Sequence, residues 1–494
     1  MTRPSLSLGS ITDALGASDL VEEVHGWDDV AISGVSQDSR TVEPGDLFLA
    51  WCGAEWDAHD FVASAAAAGA AAAVVERHVP DVALPQVRVS DGRRAAALAA
   101  DTVFGSPWRD LFTVGVTGTN GKTTTALITR HLLNAEGSAV ALGTLGLVEP
   151  GGNVREGTEG LTTPGPVSMS RWLHDLAGEG VTAVVLEASS HALDQKRLDG
   201  VQVDVAVFTN LTRDHLDYHG DMTSYLEAKS HLLNLLKDEG LVVVNAGDAH
   251  WTSLPIEGHR SMTYGVDVPA DLRAEAIETR PHGTKCRLAT EFEDVDLELP
   301  LLGRFNVENA LAAAAVGRAS GMSLEKIARR LASVPQVPGR LEIVVSEPFS
   351  VLIDFAHTPD ALRRVLSMLR SIVSGRLIVL FGAGGDRDPV KRAEMGTEVA
   401  RAADVAVVTS DNPRTEDPDA IIDGIVMGMT GFSYDRVTDR REAIRHALSQ
   451  AEPGDLVLLA GKGHELYQVI GTERHPFDER QIVRDSLAAL GVSP

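Results

Sequence analysis

The sequence predicts an α/β protein of three domains: a small N-terminal α/β unit, a central P-loop domain on a parallel sheet, and a C-terminal Rossmann-like domain. Three observations predict it. The chain has 494 residues, too many for one core and enough for roughly three domains of about 150 residues. From Val114 onward, apolar runs alternate with helical segments, the rhythm of a parallel sheet with right-handed crossovers. The stretch "FTVGVTGTNGKTTTALITRHLL", Phe112 to Leu133, passes from strand through a glycine turn into a helix, the context a phosphate-gripping loop needs.

The elements follow in order. Ahead of the glycine turn come short strands in "DVAISGVSQDSR" and "GDLFLAW", then the run "VASAAAAGAAAAVVERH". That run is broken by Gly69 and ends in charge, so it reads as a small-residue helix packed under the strand Ala72 to Val75 and not as a membrane span. "QVRVS" is a further strand, and the turn formers of "FGSPWRD" make a linker that closes a first domain at 1–107. "AVALGTLG", "SMSRWLHDLAGEG", "VTAVVLEASS" and "VDVAVFTNLTRDHLD" continue the alternation through a central domain at 108–336. The prolines and glycine of "VPQVPGRLEIV" mark the second boundary, before a last domain at 337–494. There "FSVLIDFAHTPDALRRVLSMLR", "RLIVLFGAGGDRD", "DVAVVTSDNPR" and "DLVLLAGKGHE" each run from a strand into a polar or glycine-rich turn. In a doubly wound sheet such turns gather at the carboxyl edge, where ligands bind.

Composition sets limits on partners. With 44% hydrophobic and 23% charged residues the chain reads as a soluble globular protein. A net charge of -26 argues against a nucleic-acid partner, so local basic groups must meet any anionic substrate. Cys52 and Cys286 are too few for a disulfide framework, which implies a reducing cytosol, and both are expected to be buried small apolar residues. No signal-type apolar core stands at the N-terminus, so no membrane insertion and a cytoplasmic location are expected.

The chemistry-bearing residues lie at strand ends. Gly118, Thr119, Asn120 and Gly121 form the turn, while Lys122, Thr123 and Thr124 open the helix. Lys122 is placed for the β- and γ-phosphates and the Thr123 hydroxyl for Mg²⁺, although Val116 stands where the standard loop has its first glycine. Glu187 ends an apolar strand, where a carboxylate suits a hard cation. After the next strand, "TNLTRDHLDYHGDMTSYLEAKSHLL" offers Asp214, His215, Asp217, His219 and Lys229. On spacing alone each has a plainer reading: a strand-to-helix turn, an exposed strand-end acid, structural histidines and a solvated helix lysine.

"GTNGKTT", "LEASSHAL", "TNLTRDHLDYHG", "GRFNVENALAA", "PGRLE" and "IDFAHTPDAL" occur together and in this order. The set resembles the Mur ligase superfamily, ATP-dependent amide-bond-forming enzymes of peptidoglycan precursor synthesis, in which the missing first glycine is usual. "SQDSRTVEPGDLF", "EGLTTPGP", "EAKSHLL", "GGDRD", "DNPR" and "GKGHE" narrow the resemblance to the branch that adds the third peptide residue, and it covers essentially the whole chain.

The resemblance implies that ATP phosphorylates the D-Glu side-chain carboxylate of UDP-MurNAc-L-Ala-D-Glu and that the amine of meso-2,6-diaminopimelate attacks the acyl phosphate. It implies catalytic roles for Lys122, Glu187, His215 and Lys229, with Mg²⁺ at Thr123, Glu187, His215 and a CO₂-derived carbamate on Lys229. Asn306, Asn309, Arg340 and Asp354 match nucleotide contacts. Gln37, Ser39, Ala54, Glu55 and Trp56 align with the uridine-diphosphate pocket, where Gln37 replaces a common apolar residue and Trp56 is unusual. Leu161, Thr162, Thr163, Ser190, Gln195 and Arg197 align with groups that hold the muramoyl-dipeptide. Arg387, Asp411, Asn412, Pro413, Arg414, Gly461 and Glu465 align with the site for diaminopimelate, Arg414 meeting its distal carboxylate through a planar fork. The substrates are small molecules and the enzyme is expected to be a monomer. Rival readings are the same reaction with L-lysine, a folylpolyglutamate synthase-like ligase, and a P-loop switch or motor. "SQDSRTVEPGDLF" argues against the second, which lacks the N-terminal domain.

Overall fold

A computed structural model of the chain describes residues 6–27, 29–53, 56–155, 158 and 160–491. Its chain divides into two compact units. The first runs to Glu275 and includes Leu288–Val295 and Glu308–Arg330; the second comprises Ala276–Arg287, Asp296–Val307 and the chain from Leu331.

Within the first unit the N-terminal sheet has the spatial order Val21–His25, Gln86–Val89, Ala72–Val75, Asp46–Leu49 and Gly34–Ser36. Only the first pair is antiparallel. Alternation sends Val74 to a core with Leu8, Ile11 and Ala96, and Ala73 and Val75 to another with Phe48, Val62 and Ala65. Both faces of the sheet are therefore covered, as a parallel sheet requires. The Ala-rich run is the helix Val62–Ala68, closed by Gly69 in a left-handed conformation, and then the strand Ala72–Val75. The same unit holds a second, parallel array in the order Ala139–Gly143, Ala183–Glu187, Phe112–Thr117, Val203–Phe208, Leu236–Asn245 and Arg260–Val266. Val116, at the position of the standard loop's first glycine, is a fully buried residue of the strand Phe112–Thr117 and pairs with Glu187.

In the second unit Ser350–Asp354, Leu456–Ala460, Leu377–Phe381 and Val405–Val408 run parallel, with Glu342–Val345 antiparallel on one edge. Helices Pro359–Ile372 and Arg440–Gln450 bury apolar stripes against opposite faces, Leu362, Leu366 and Leu369 on one side and Ile444, Ala447 and Leu448 on the other. The parallel strands bring their carboxyl-terminal turns to one edge.

One expectation fails. Cys286 is buried, but Cys52 is exposed, because it sits in an isolated bridge with Asp57 and donates its backbone N–H to Glu76. Both thiols are free. Among the described residues no helix is long and apolar enough to cross a membrane.

Candidate active site

The strand Phe112–Thr117 delivers the chain into a tight loop, and the helix Lys122–Leu133 leaves it. Gly118 and Gly121 have φ of +140° and +86°. A side chain at Gly118 would meet Thr209 Oγ1 at 1.9 Å, and one at Gly121 would meet Asn309 Oδ1 at 2.2 Å, so both glycines are sterically required. The loop is tied to the end of the neighbouring strand: Thr119 N donates to Asn210 O (2.7 Å), Asn120 N to Asn210 Oδ1 (3.0 Å), and Thr209 Oγ1 to Asn120 O (2.7 Å). Lys122 folds back over it, its Nζ donating to the carbonyls of Gly118 (2.8 Å) and Thr119 (2.9 Å). Thr124 is buried behind the loop.

Glu187 ends its strand buried beside the first turn of that helix. It accepts from Thr123 Oγ1 (2.9 Å), Thr144 N (2.9 Å) and Thr144 Oγ1 (3.1 Å). Thr123 Oγ1 and Glu187 Oε2 thus form a pair of hard oxygen donors at the end of the P-loop, which fits Mg²⁺. Lys229, in the helix Met222–Ser230, is 1% exposed and donates to the same Gly118 carbonyl at 2.8 Å, with its Nζ 4.4 Å from the Tyr225 ring. Burial, reinforced by the charge of Lys122, drives its pKa well below the ordinary lysine value. Lys229 is therefore a buried lysine and not the solvated helix lysine its spacing suggests. His215 is half exposed, has φ of +52°, and stands edge-on to His191 at 4.9 Å between ring centres. Among the described residues no three His, Cys, Asp or Glu side chains gather into a ready-made metal cage.

Beyond Glu187 the chain turns into the short helix Ser190–Asp194. Thr163 Oγ1 donates to Glu187 O (2.6 Å), and Arg197 Nη1 donates to Thr163 O (3.0 Å). Arg197 also grips Gln195 Oε1, through Nε at 3.0 Å and Nη2 at 2.5 Å. Ser190 is buried and bonded to His219 Nε2 at 3.0 Å, and Thr162 Oγ1 lies 3.2 Å from Thr144 Oγ1. Leu161 is exposed. Thr163, Arg197 and Gln195 are thus linked by hydrogen bonds to the Glu187 carbonyl, and Thr162 through Thr144 to its carboxylate. The Gln37 amide lies against Gly165, where an added side chain would stand 3.1 Å from its Nε2. Ser39 is partly exposed, Trp56 is strongly exposed, and Ala54 and Glu55 lie outside the described residues.

Asn306 and Asn309 lie on the helix Arg304–Ala319. Asn309 Oδ1 accepts from Thr125 Oγ1 (3.3 Å) behind Gly121, and Asn306 Nδ2 donates to Leu302 O (2.9 Å). In the second unit Asp354 accepts from the backbone of Leu341 (2.7 Å) and Ala356 (2.8 Å). Burial raises its pKa, and the nearby Arg340, stacked 4.7 Å from the Phe355 ring, opposes that rise.

The turn after Val405–Val408 carries Asp411, Asn412, Pro413 and Arg414, the first three buried. Arg414 has φ of +52° and donates from Nη1 to Gly385 O at 2.6 Å. A side chain at Gly384 would meet Arg414 Nη1 at 3.1 Å and Arg387 Cγ at 3.9 Å, so both arginines flank that turn. Gly461, with φ of +113°, ends the strand Leu456–Ala460 beside Asp411, and Glu465 accepts from Asn412 Nδ2 at 2.8 Å. Sequence reasoning missed Lys462, buried between these groups, along with Thr144, Asn210 and His191. Lysine in a glycine turn carries no burial signal, and the other three become neighbours of the site only when strands pair.

A strand, glycine turn and helix on a parallel sheet, tied through Thr123 to Glu187, define a P-loop protein. Three family models match: the Mur ligase middle domain over residues 116–317, the Mur ligase glutamate ligase domain over 339–463, and the Mur ligase family catalytic domain over 31–101. A relative in Geobacillus kaustophilus, named UDP-N-acetylmuramoyl-L-alanyl-D-glutamate–2,6-diaminopimelate ligase, is 43% identical over 95% of this chain and 97% of its own. A Bacillus cereus relative of the same name is 41% identical over 92% of this chain and 94% of its own. A solved structure described by that name aligns over 99% of this chain and 100% of its own, at 34% identity and a TM-score of 0.73. The chain belongs to the Mur ligase family, and it is a ligase.

Proposed function

We propose that the protein joins meso-2,6-diaminopimelate to the D-Glu γ-carboxylate of UDP-MurNAc-L-Ala-D-Glu, using ATP, as a cytoplasmic monomeric enzyme of peptidoglycan precursor synthesis. The observation that carries the reading is similarity at 41–43% identity, over more than nine-tenths of the chain, to relatives named for that reaction. We assign the sugar nucleotide to 1–107, ATP to 108–336 and the amino acid to 337–494.

A carboxylate condenses with an amine only after one of its oxygens becomes a leaving group. In the first step a D-Glu oxygen attacks the γ-phosphorus, a P–O bond forms, and ADP leaves. In the second the uncharged amine attacks the acyl carbon, a tetrahedral intermediate forms, phosphate departs and the nitrogen loses a proton. Attacker and target of the first step are both anions, so positioning and charge neutralisation dominate. Lys122 and the backbone N–H groups of Gly121, Thr123 and Thr124 hold the phosphates, and Gly118, Thr119 and Asn120, the last two tied to Asn210, shape the loop around them. Thr123 and Glu187 would hold Mg²⁺, which supplies positive charge beside the phosphates. The Lys229 nitrogen would attack the carbon of CO₂ and lose a proton, giving a carbamate that offers oxygen where the free amine offers none, and His215 would complete that second metal position. Asn306, Asn309, Arg340 and Asp354 take the nucleotide. We assign the uridine diphosphate to Gln37, Ser39, Ala54, Glu55 and Trp56. Leu161, Thr162, Thr163, Ser190, Gln195 and Arg197 hold the muramoyl-dipeptide. Arg387 and Arg414 take the carboxylates of diaminopimelate, with Asp411, Asn412, Pro413, Gly461 and Glu465 shaping the pocket for its ammonium and backbone.

The test is mass spectrometry of the product formed from competing diaminopimelate and lysine. A site built around a distal carboxylate leaves its arginine unpaired with lysine, so diaminopimelate should win by about 10⁴-fold. Equal use of lysine defeats the assignment. ATP turnover that proceeds without the UDP-linked dipeptide supports a switch or motor in its place.

A further inference from the structure

Resting on the amino-acid site proposed above, we infer that Lys462 is its positioning residue, setting the geometry of Asp411, Asn412 and Glu465 without touching substrate. Lys462 is fully buried, a place lysine occupies only when paired. An ammonium has three donors and no acceptor, and all three are accounted for. Nζ donates to Asn412 Oδ1 at 3.0 Å and Glu465 Oε2 at 3.1 Å, and more weakly to Asp411 Oδ1 at 3.5 Å. No N–H remains for a ligand. Its action on one must pass through those three side chains.

What it does to them is specific. Asn412 Oδ1 receives both Lys462 Nζ and the backbone N–H of Val469 (2.9 Å), which fixes the amide so that Nδ2 faces Glu465 Oε2 at 2.8 Å. Glu465 Oε2 is thereby saturated by Lys462 and Asn412. Among the described residues Oε1 has no protein donor, and it is the oxygen left to receive an ammonium. The lysine also joins two segments distant in sequence. Gln468 Nε2 donates to Asp411 O (2.6 Å), Arg414 N to Val469 O (3.1 Å), and Gly471 N to Arg414 O (2.8 Å). The turn bearing Arg414 and the hairpin that follows Lys462, Tyr467–Ile470 with Glu473–Pro476, are therefore one assembly, pinned at its base by the ammonium.

The experiment is steady-state kinetics of the full-length wild type, Lys462→Met and Lys462→Gln, varying each substrate in turn. Removing a buried charged donor should raise KM for diaminopimelate about 10-fold or more. KM for ATP and for the UDP-linked dipeptide should stay within about twofold, a split that general loosening of the fold does not produce. Lys462→Gln, which keeps an amide donor, should fall between. Equal changes in all three KM values, or none, overturn the inference while leaving the reaction assigned. Loss of a cooperative melt in both variants makes the lysine a folding element and likewise overturns it. Wild-type enzyme inert with diaminopimelate removes the functional reading, and this inference with it.

Discussion

Lys229 and Lys462 are both buried to within 1% of full exclusion, one in each compact unit, and they are buried in opposite ways. Lys462 enters with two carboxylates and an amide oxygen around it. Lys229 enters with a carbonyl oxygen and an aromatic ring, and shares that carbonyl with a second lysine, Lys122. Carboxylate partners offset the hydration a buried lysine loses; a buried lysine hydrogen-bonded to no carboxylate has its pKa pushed down instead. Burial thus sets the cost, and the partners decide what the lysine is for. On the readings proposed above, one is an anchor and the other the nucleophile toward CO₂.

The largest expected effect tests the nucleophile. Lys229→Ala should lower kcat by about 10³-fold, as removal of a charge-organising group at a phosphoryl-transfer site does, and added bicarbonate should not restore it. A Lys229→Ala enzyme impaired only in KM for the amino acid would make Lys229 an anchor like Lys462 and erase the contrast. Next comes the turn that Lys462 pins. Arg414→Ala removes a charge-assisted fork and should raise KM for diaminopimelate about 100-fold, while ATP binding by calorimetry stays as in the wild type. A comparable loss of ATP affinity would place Arg414 outside the amino-acid site.

The smallest effect uses an acid to ask whether unpaired burial acts alike on both signs of charge. Asp101 is 8% exposed, accepts from Ser106 Oγ at 2.7 Å, and burial lifts its pKa from 3.8 to about 6. Its folded pKa lies above the unfolded value, so folding is favoured by the proton. That contribution is full below about pH 4 and is lost as pH rises through about 6. Asp101→Asn should therefore be more stable than wild type above pH 6, by at most about 3 kcal/mol, with the difference vanishing near pH 4. Chemical denaturation at pH 4.5 and 8 measures it, and a pH-independent difference would refute the partner rule for carboxylates.

Much of this was legible in order along the chain. The alternation of strand and helix, the Ala-rich helix ending at Gly69, and the strand–glycine–helix of the P-loop are local patterns, and they stand where the periodicity puts them. The strands between Arg260 and Leu299 had no such signature, since polar and apolar residues mix there at a partly exposed surface. Cys52 was misread because burial is a property of a loop's packing and not of a residue type.

The sequence by itself determined which chemistry is available: a lysine and a threonine opening a helix, a carboxylate ending a strand, an arginine aimed by a proline turn. Spacing within an element sets such things, because backbone geometry is local. Only the tertiary structure decided which groups share an environment. Thr123 meets Glu187 across 64 residues, Lys229 meets Gly118 across 111, and Lys462 meets Asn412 across 50. The protonation of a buried lysine depends on those distant neighbours, since the electrostatic energy that sets it falls with separation in space and not along the chain.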